Sequence, residues 1–278
     1  MIFKNARPLR LAYSDPRGVG TPILFVHGIG HNRSVWEKMA LALPEAYRPI
    51  AVDLRGHGES PWSTQAHYDL YDYAADLSPL LDDLKIDRCY VVAHSLGGNV
   101  ATLFSSAQPS RVLALTLVDT GPALASSATV HVADEIGSAL RSYASIAEFR
   151  AQLGLIHPVG DAEILDRLAR ASVVERLDGR FEPTLDPGVL GVATEPTDLV
   201  GLERELWSAL GTLACPVLIV RGGVSAILSE KVATEMVDEV LTDGRLVTLA
   251  EAGHAIMIDA GPGLSGAILD FFSTLPAT

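Results

Sequence analysis

Six short apolar runs, spread along the whole chain, limit the fold more than any other feature. They read PILFVHG (22–28), RPIAVDL (48–54), RCYVVAHS (88–95), VLALTLVD (112–119), PVLIVRGG (216–223) and GRLVTLAE (244–251). Each is continuous instead of alternating with polar residues, the pattern of a strand covered on both faces in a parallel sheet. Parallel strands need long crossovers, and helical patterns stand between the runs. Leu70, Ala74, Leu77, Leu81 and Leu84 share a face before the third run, with Pro79 expected to kink or shorten that helix. Val100, Leu103, Phe104 and Ala107 share one after it, and Pro109 should stop that helix. Strand and helix in alternation make an α/β fold with right-handed crossovers.

The rhythm breaks between Gly121 and Glu205, where no strong strand run occurs. Helix-like segments, HVADEIGSALRSYASIAEFRAQLG and DAEILDRLARASVVERL, lead into the Pro/Gly-punctuated DGRFEPTLDPGVLGVATEPTD. A long insert between two strands reads as a helical lid over the carboxyl end of the sheet. The chain has 278 residues and a formal net charge of −13, which argues against a nucleic-acid partner because phosphates call for a basic patch. The N-terminal MIFKNARPLRLAYSDP has no apolar run fit for a signal peptide or membrane span, so no membrane association and a cytoplasmic location are expected. Cys89 and Cys215 open two apolar runs and read as buried free thiols, and no Cys/His spacing resembles a zinc site.

The chemistry concentrates in YVVAHSLGGNV (90–100). A strand that runs into a serine, with small residues Ala93, Gly97 and Gly98 around it, fits a sharp strand-to-helix turn that presents the hydroxyl above the sheet. The strict motif G-x-S-x-G carries alanine at its first position here. Ser95 is the candidate nucleophile, and a serine needs a base. His254, in EAGHAIMIDAGP after the last strand run, can lean over the sheet end. His94 should point away from Ser95's side of the strand, His57 lies between two glycines as a turn former, and His27 and His31 flank a glycine loop. That loop, His27-Gly28-Ile29-Gly30, follows the first run. The backbone N–H groups of Ile29 and Leu96 are the candidate oxyanion donors.

Taken together, HGIGHNRSVWEKM (27–39), AVDLRGHGES (51–60), VVAHSLGGNVA (91–101), LTLVDTGP (115–122), CPVLIVRGG (215–223) and AGHAIM (252–257) resemble the α/β-hydrolase superfamily over nearly the whole length. The resemblance implies an eight-stranded, mostly parallel sheet flanked by helices. It divides the chain into a core, residues 1–121 and 206–278, and a helical cap, residues 122–205. It also implies triad chemistry with no cofactor. In such a sheet one strand separates those that carry Cys89 and Cys215, about 10 Å apart and too far for a bridge.

The family pattern departs at the acid of the triad. The turn after the 217–221 strand commonly carries an aspartate, but RGGVSAILSE has Ala226 there. Asp119, at the end of LTLVD, is the leading substitute and keeps the chain order Ser95, Asp119, His254. Glu230 is a lesser candidate, and the absence of any functional acid is a third alternative. The expected function is a serine hydrolase for a small-molecule ester, lactone, amide or activated C–C bond. A non-catalytic ligand binder, and a lyase or cofactor-free haloperoxidase using the same triad, stand as alternatives. The insert's Arg141, Arg150, Arg167, Arg170, Arg176, Arg180 and Arg204 admit a carboxylate-bearing substrate, since guanidinium binds carboxylates bidentately. The same insert holds 14 Asp and Glu, and most such charges face water.

Overall fold

A computed structural model of the chain describes residues 8–123, 140–189 and 199–276. The apolar runs become six parallel strands: β2 (Thr21–Val26), β3 (Tyr47–Val52), β4 (Cys89–His94), β5 (Val112–Val118), β8 (Val217–Gly222) and β9 (Gly244–Leu249). A two-residue strand, β1 (Tyr13–Ser14), pairs antiparallel with β3 at one edge. The order across the sheet is β1-β3-β2-β4-β5-β8-β9. Among the described residues this sheet has seven strands, not the eight that the resemblance implied, and it is mostly parallel as expected.

Both faces of the sheet are covered, which explains why its strands read as unbroken apolar runs. Leu24, Val26, Val91, Ala93, Leu115 and Ile219 face one layer, formed by α2 (Leu70–Asp83), α3 (Leu96–Ala107) and α6 (Leu199–Gly211). Their chain neighbours Ile23, Phe25, Tyr90, Val92, Ala114 and Val220 face the other, where α1 (Glu37–Ala42) and α9 (Gly261–Ser273) pack. Each large aliphatic buried this way contributes roughly 1.5–3 kcal/mol.

Pro79 does not shorten its helix, because α2 runs through it to Asp83. An interior proline costs about 3 kcal/mol. Leu77, Leu80 and Leu81 around it are all buried in the core and together outweigh that cost. Among the described residues no helix is long and apolar enough to cross a membrane. Cys89 and Cys215 are both free, with β5 standing between their strands.

Between β5 and α6 the described residues form α4 (Ile146–Ile156) and α5 (Ala162–Ala171). Ser145 and Asp161 cap them, accepting hydrogen bonds from the backbone N–H of Glu148 and Ile164. The first part of the expected helix, 131–139, lies outside the described residues. The tail of the second is a strand instead. β6 (Val173–Glu175) pairs antiparallel with β7 (Phe181–Pro183) around Asp178-Gly179, and Gly179 sits at φ 79°. Two valines and an Asp-Gly turn favour a hairpin over a continued helix. Phe149, Leu153, Leu165 and Leu168 of the insert join Val35 and Trp36 in the same apolar cluster as the second sheet face.

Candidate active site

The end of β4 carries Ser95, whose backbone lies at φ 51° and ψ −122°. A non-glycine residue there is strained, and packing on all sides holds it. A Cβ on Gly97 would come within 2.4 Å of the His27 carbonyl oxygen, and one on Gly28 within 2.6 Å of His94 Nδ1. The loop after β2 therefore lies directly against the serine turn. The alanine that replaces the first motif glycine, Ala93, is fully buried in the same apolar cluster as Val26.

The neighbouring strand supplies Asp119. His94 and Val118 are cross-strand partners, so Ser95 and Asp119 occupy successive positions just past two adjacent strand ends. Asp119 is itself at φ 47°, a conformation that aspartate tolerates better than most residues, and it is completely buried. A carboxylate at that depth requires donors. Its Oδ1 accepts from the Gly222 N–H at 2.9 Å, and its Oδ2 accepts from the Ser225 hydroxyl and lies 2.7 Å from His254 Nδ1.

His254 completes the chain of contacts, with Nε2 3.0 Å from Ser95 Oγ. A carboxylate only accepts, so the hydrogen sits on Nδ1 and the Nε2 lone pair faces the serine hydroxyl. Two further contacts fix the loop. His94 Nε2–H donates to the His254 carbonyl oxygen at 3.0 Å, and the Gly253 N–H donates to Asp259 Oδ2 at 3.0 Å. The structure thus brings Ser95, Asp119 and His254 together. Leu96 is the first residue of α3, where an N–H has no intrahelical acceptor, and Ile29 lies on the loop packed against Ser95. Ala226 follows Ser225 in the turn after β8, while Glu230 is exposed at the start of α7 (Glu230–Glu235).

Five more histidines crowd this end of the sheet. His27 accepts from the Leu54 N–H at Nε2 and donates from Nδ1 to the Gly28 carbonyl, so its tautomer is fixed. Burial holds it down to about 4, His57 to about 3 and His157 of the insert to about 4, and pushes His31 and His94 well below their ordinary value. The rings pack in sequence: His57 on His27 at 5.0 Å, His157 on His31 at 6.1 Å, His31 on His94 at 5.8 Å, and His94 on His254 at 4.5 Å. His94 grips the histidine loop, a contact that strand alternation alone did not suggest. Ser225 and Asp259 were likewise not anticipated. Of the insert's arginines, Arg150 pairs with Asp166, Arg167 with Glu37 and Glu163, and Arg176 with Glu182, while Arg180 bonds Ser142.

A family model described as the alpha/beta hydrolase fold matches residues 21–261. Esterase Rv0045c of Mycobacterium tuberculosis is 30% identical over 265 residues, covering 90% of this chain and 80% of that protein. The sn-1-specific diacylglycerol lipase ABHD11 of Danio rerio is 35% identical over 131 residues, 46% of this chain and only 41% of that protein. Among solved structures, E-2-(acetamidomethylene)succinate hydrolase superposes with a TM-score of 0.85 at 25% identity, covering 95% of each chain. By the extent of the family match and by the architecture of its sheet, this chain belongs to the α/β-hydrolase fold family.

Proposed function

We propose that the protein is a cofactor-free serine hydrolase acting on an ester, lactone, amide or activated C–C bond of a small molecule. The observation that carries the reading is the unbroken contact from Ser95 Oγ through His254 to Asp119. In this reading Ser95 Oγ attacks the substrate carbonyl while His254 Nε2 takes its proton. Asp119 holds the imidazole in the productive tautomer. The N–H groups of Ile29 and Leu96 bind the oxyanion. Residues 122–205 act as a cap on a core made of 1–121 and 206–278. The missing aspartate at 226 favours a non-catalytic binder only if nothing replaces it, and the Asp119 contact supports the enzyme.

The test is covalent labelling by a fluorophosphonate probe, together with ester hydrolysis by Ser95→Ala. The wild type should label at Ser95, and the folded variant should lose roughly 10⁶ in turnover. A wild type that resists the probe, or a variant with unchanged activity, removes the nucleophile from Ser95.

A further inference from the structure

The turn after β8 joins the carboxylate of Asp119 to the histidine loop. Gly222, where β8 ends, donates its N–H to Asp119 Oδ1 at 2.9 Å. Two residues on, the Val224 N–H donates to the Ala252 carbonyl oxygen at 3.1 Å, just before His254. The two backbones also touch, since a Cβ on Gly222 would come within 2.1 Å of the Gly253 carbonyl oxygen. From this turn the side chain of Ser225 reaches Asp119 Oδ2.

The direction of that contact follows from its neighbours. Ser225 Oγ accepts from the Ile227 N–H at 3.0 Å, and a carboxylate brings no hydrogen, so the Ser225 hydroxyl donates to Asp119 Oδ2. The same oxygen receives the Nδ1–H of His254 at 2.7 Å. Asp119 is completely buried, away from water that could supply another donor. A serine that only closed the turn would use its oxygen as an acceptor and nothing more. The hydrogen given to Asp119 is a second function. We infer that Ser225 is a positioning residue of the proposed triad: its hydroxyl fixes the Asp119 carboxylate in the orientation that meets His254, and it shares the charge of Oδ2 with the imidazole. The inference rests on the hydrolase reading. The turn that carries Ala226 thus holds the acid instead of supplying it.

Phenyl acetate hydrolysis by Ser225→Ala tests it. A hydrogen bond to a charged group is worth roughly ten- to hundredfold, so kcat should fall by about that factor with KM little changed. With one donor gone, Oδ2 should hold the imidazolium more strongly. The pH of half-maximal activity should therefore rise by about half to one pH unit. The other titratable groups about His254 are His94, His31, His157 and Asp259, and the substitution leaves each in place. Ser225→Cys, a weaker donor of nearly the same shape, should show both changes at smaller amplitude. Ser225→Thr, which keeps the hydroxyl at a half-buried position, should return kcat and the pH profile toward wild type. In an Asp119→Asn background Ser225→Ala should cost less than about threefold, because the charge it serves is gone. An unshifted profile in the alanine and cysteine variants, or an equal loss of kcat with and without the Asp119 carboxylate, overturns the assignment. Fluorophosphonate labelling of the wild type separates the two failures. Labelled wild type with either of those results sinks the role of Ser225 alone, and unlabelled wild type sinks the hydrolase reading and that role with it.

Discussion

Lowering the pH from 7.5 to 5 should destabilise this protein, because five histidines are buried uncharged. His27 is held down to about 4, His57 to about 3 and His157 to about 4, with His31 and His94 well below their ordinary value, in every case chiefly by burial. An unfolded chain returns each to about 6.5. Between those two values the unfolded chain binds a proton that the native state refuses, so stability rises with pH through the window and is lost as pH falls from about 6.5 toward 4. At pH 5 His27, His57 and His157 each cost about 2 kcal/mol, about 6 kcal/mol together, and His31 and His94 act in the same direction. A domain has roughly 5–15 kcal/mol in all. Burial raises the carboxyls of Asp72, Asp76 and Asp259, which therefore take up protons in the native state and return part of the loss. Urea melts at a series of pH values measure the effect as a slope, to which His27, His57 and His157 contribute about two to three protons bound on unfolding near pH 5.5. His57→Asn, whose amide can still donate to the Arg55 carbonyl as Nδ1 does now, should reduce that uptake by about one. An unfolding midpoint unchanged between pH 7.5 and 5.5 would refute the reasoning.

Other perturbations act on the site itself. Asp119→Asn should favour the wrong imidazole tautomer and lose about 10⁴ in turnover with the fold intact, and Ala226→Asp in that background should restore part of it; unchanged turnover in the single variant makes Asp119 structural. His94→Leu should lower kcat with little change in KM, because the His254 loop loses its anchor, and His94→Gln, which keeps a donor near the Nε2 position, should rescue it; equal activity in both variants reduces His94 to packing. Gly97→Ala should destabilise by about 1–3 kcal/mol or more, since the new methyl meets the His27 carbonyl at 2.4 Å, and a thermal midpoint equal to wild type would show that the turn can yield.

How far the sequence could be read depended on whether a feature was local. The parallel strands were legible because two-sided burial leaves continuous runs such as VLALTLV, and the serine turn because its crowding demands Gly97 in the chain itself. Ala226 leaves the usual position of the acid without a carboxylate, and Asp119, at the end of another strand run, is the carboxylate in contact with His254. The hairpin at 173–183 was missed because Val173 and Val174 continue the apolar spacing of α5 and so mimic one more helical turn. β1 is too short, at two residues, to show any period. His94, Ser225 and Asp259 reach the site from three different elements, and no spacing along the chain reports a meeting of that kind.

The pairing of His94 with Val118 has a mechanical consequence. Ser95 and Asp119 emerge one step beyond neighbouring strand ends, both bent at φ near 50°, and are bonded into the sheet through the Val118 and Val220 carbonyls. Those two groups are held by one two-strand frame. His254 alone rides on a loop, tethered by His94 on one side and Asp259 on the other. The relative geometry of the three groups then reduces to the freedom of a single short segment. Substitutions that tune turnover without unfolding the chain should gather at its tethers, while the β4–β5 frame tolerates almost none.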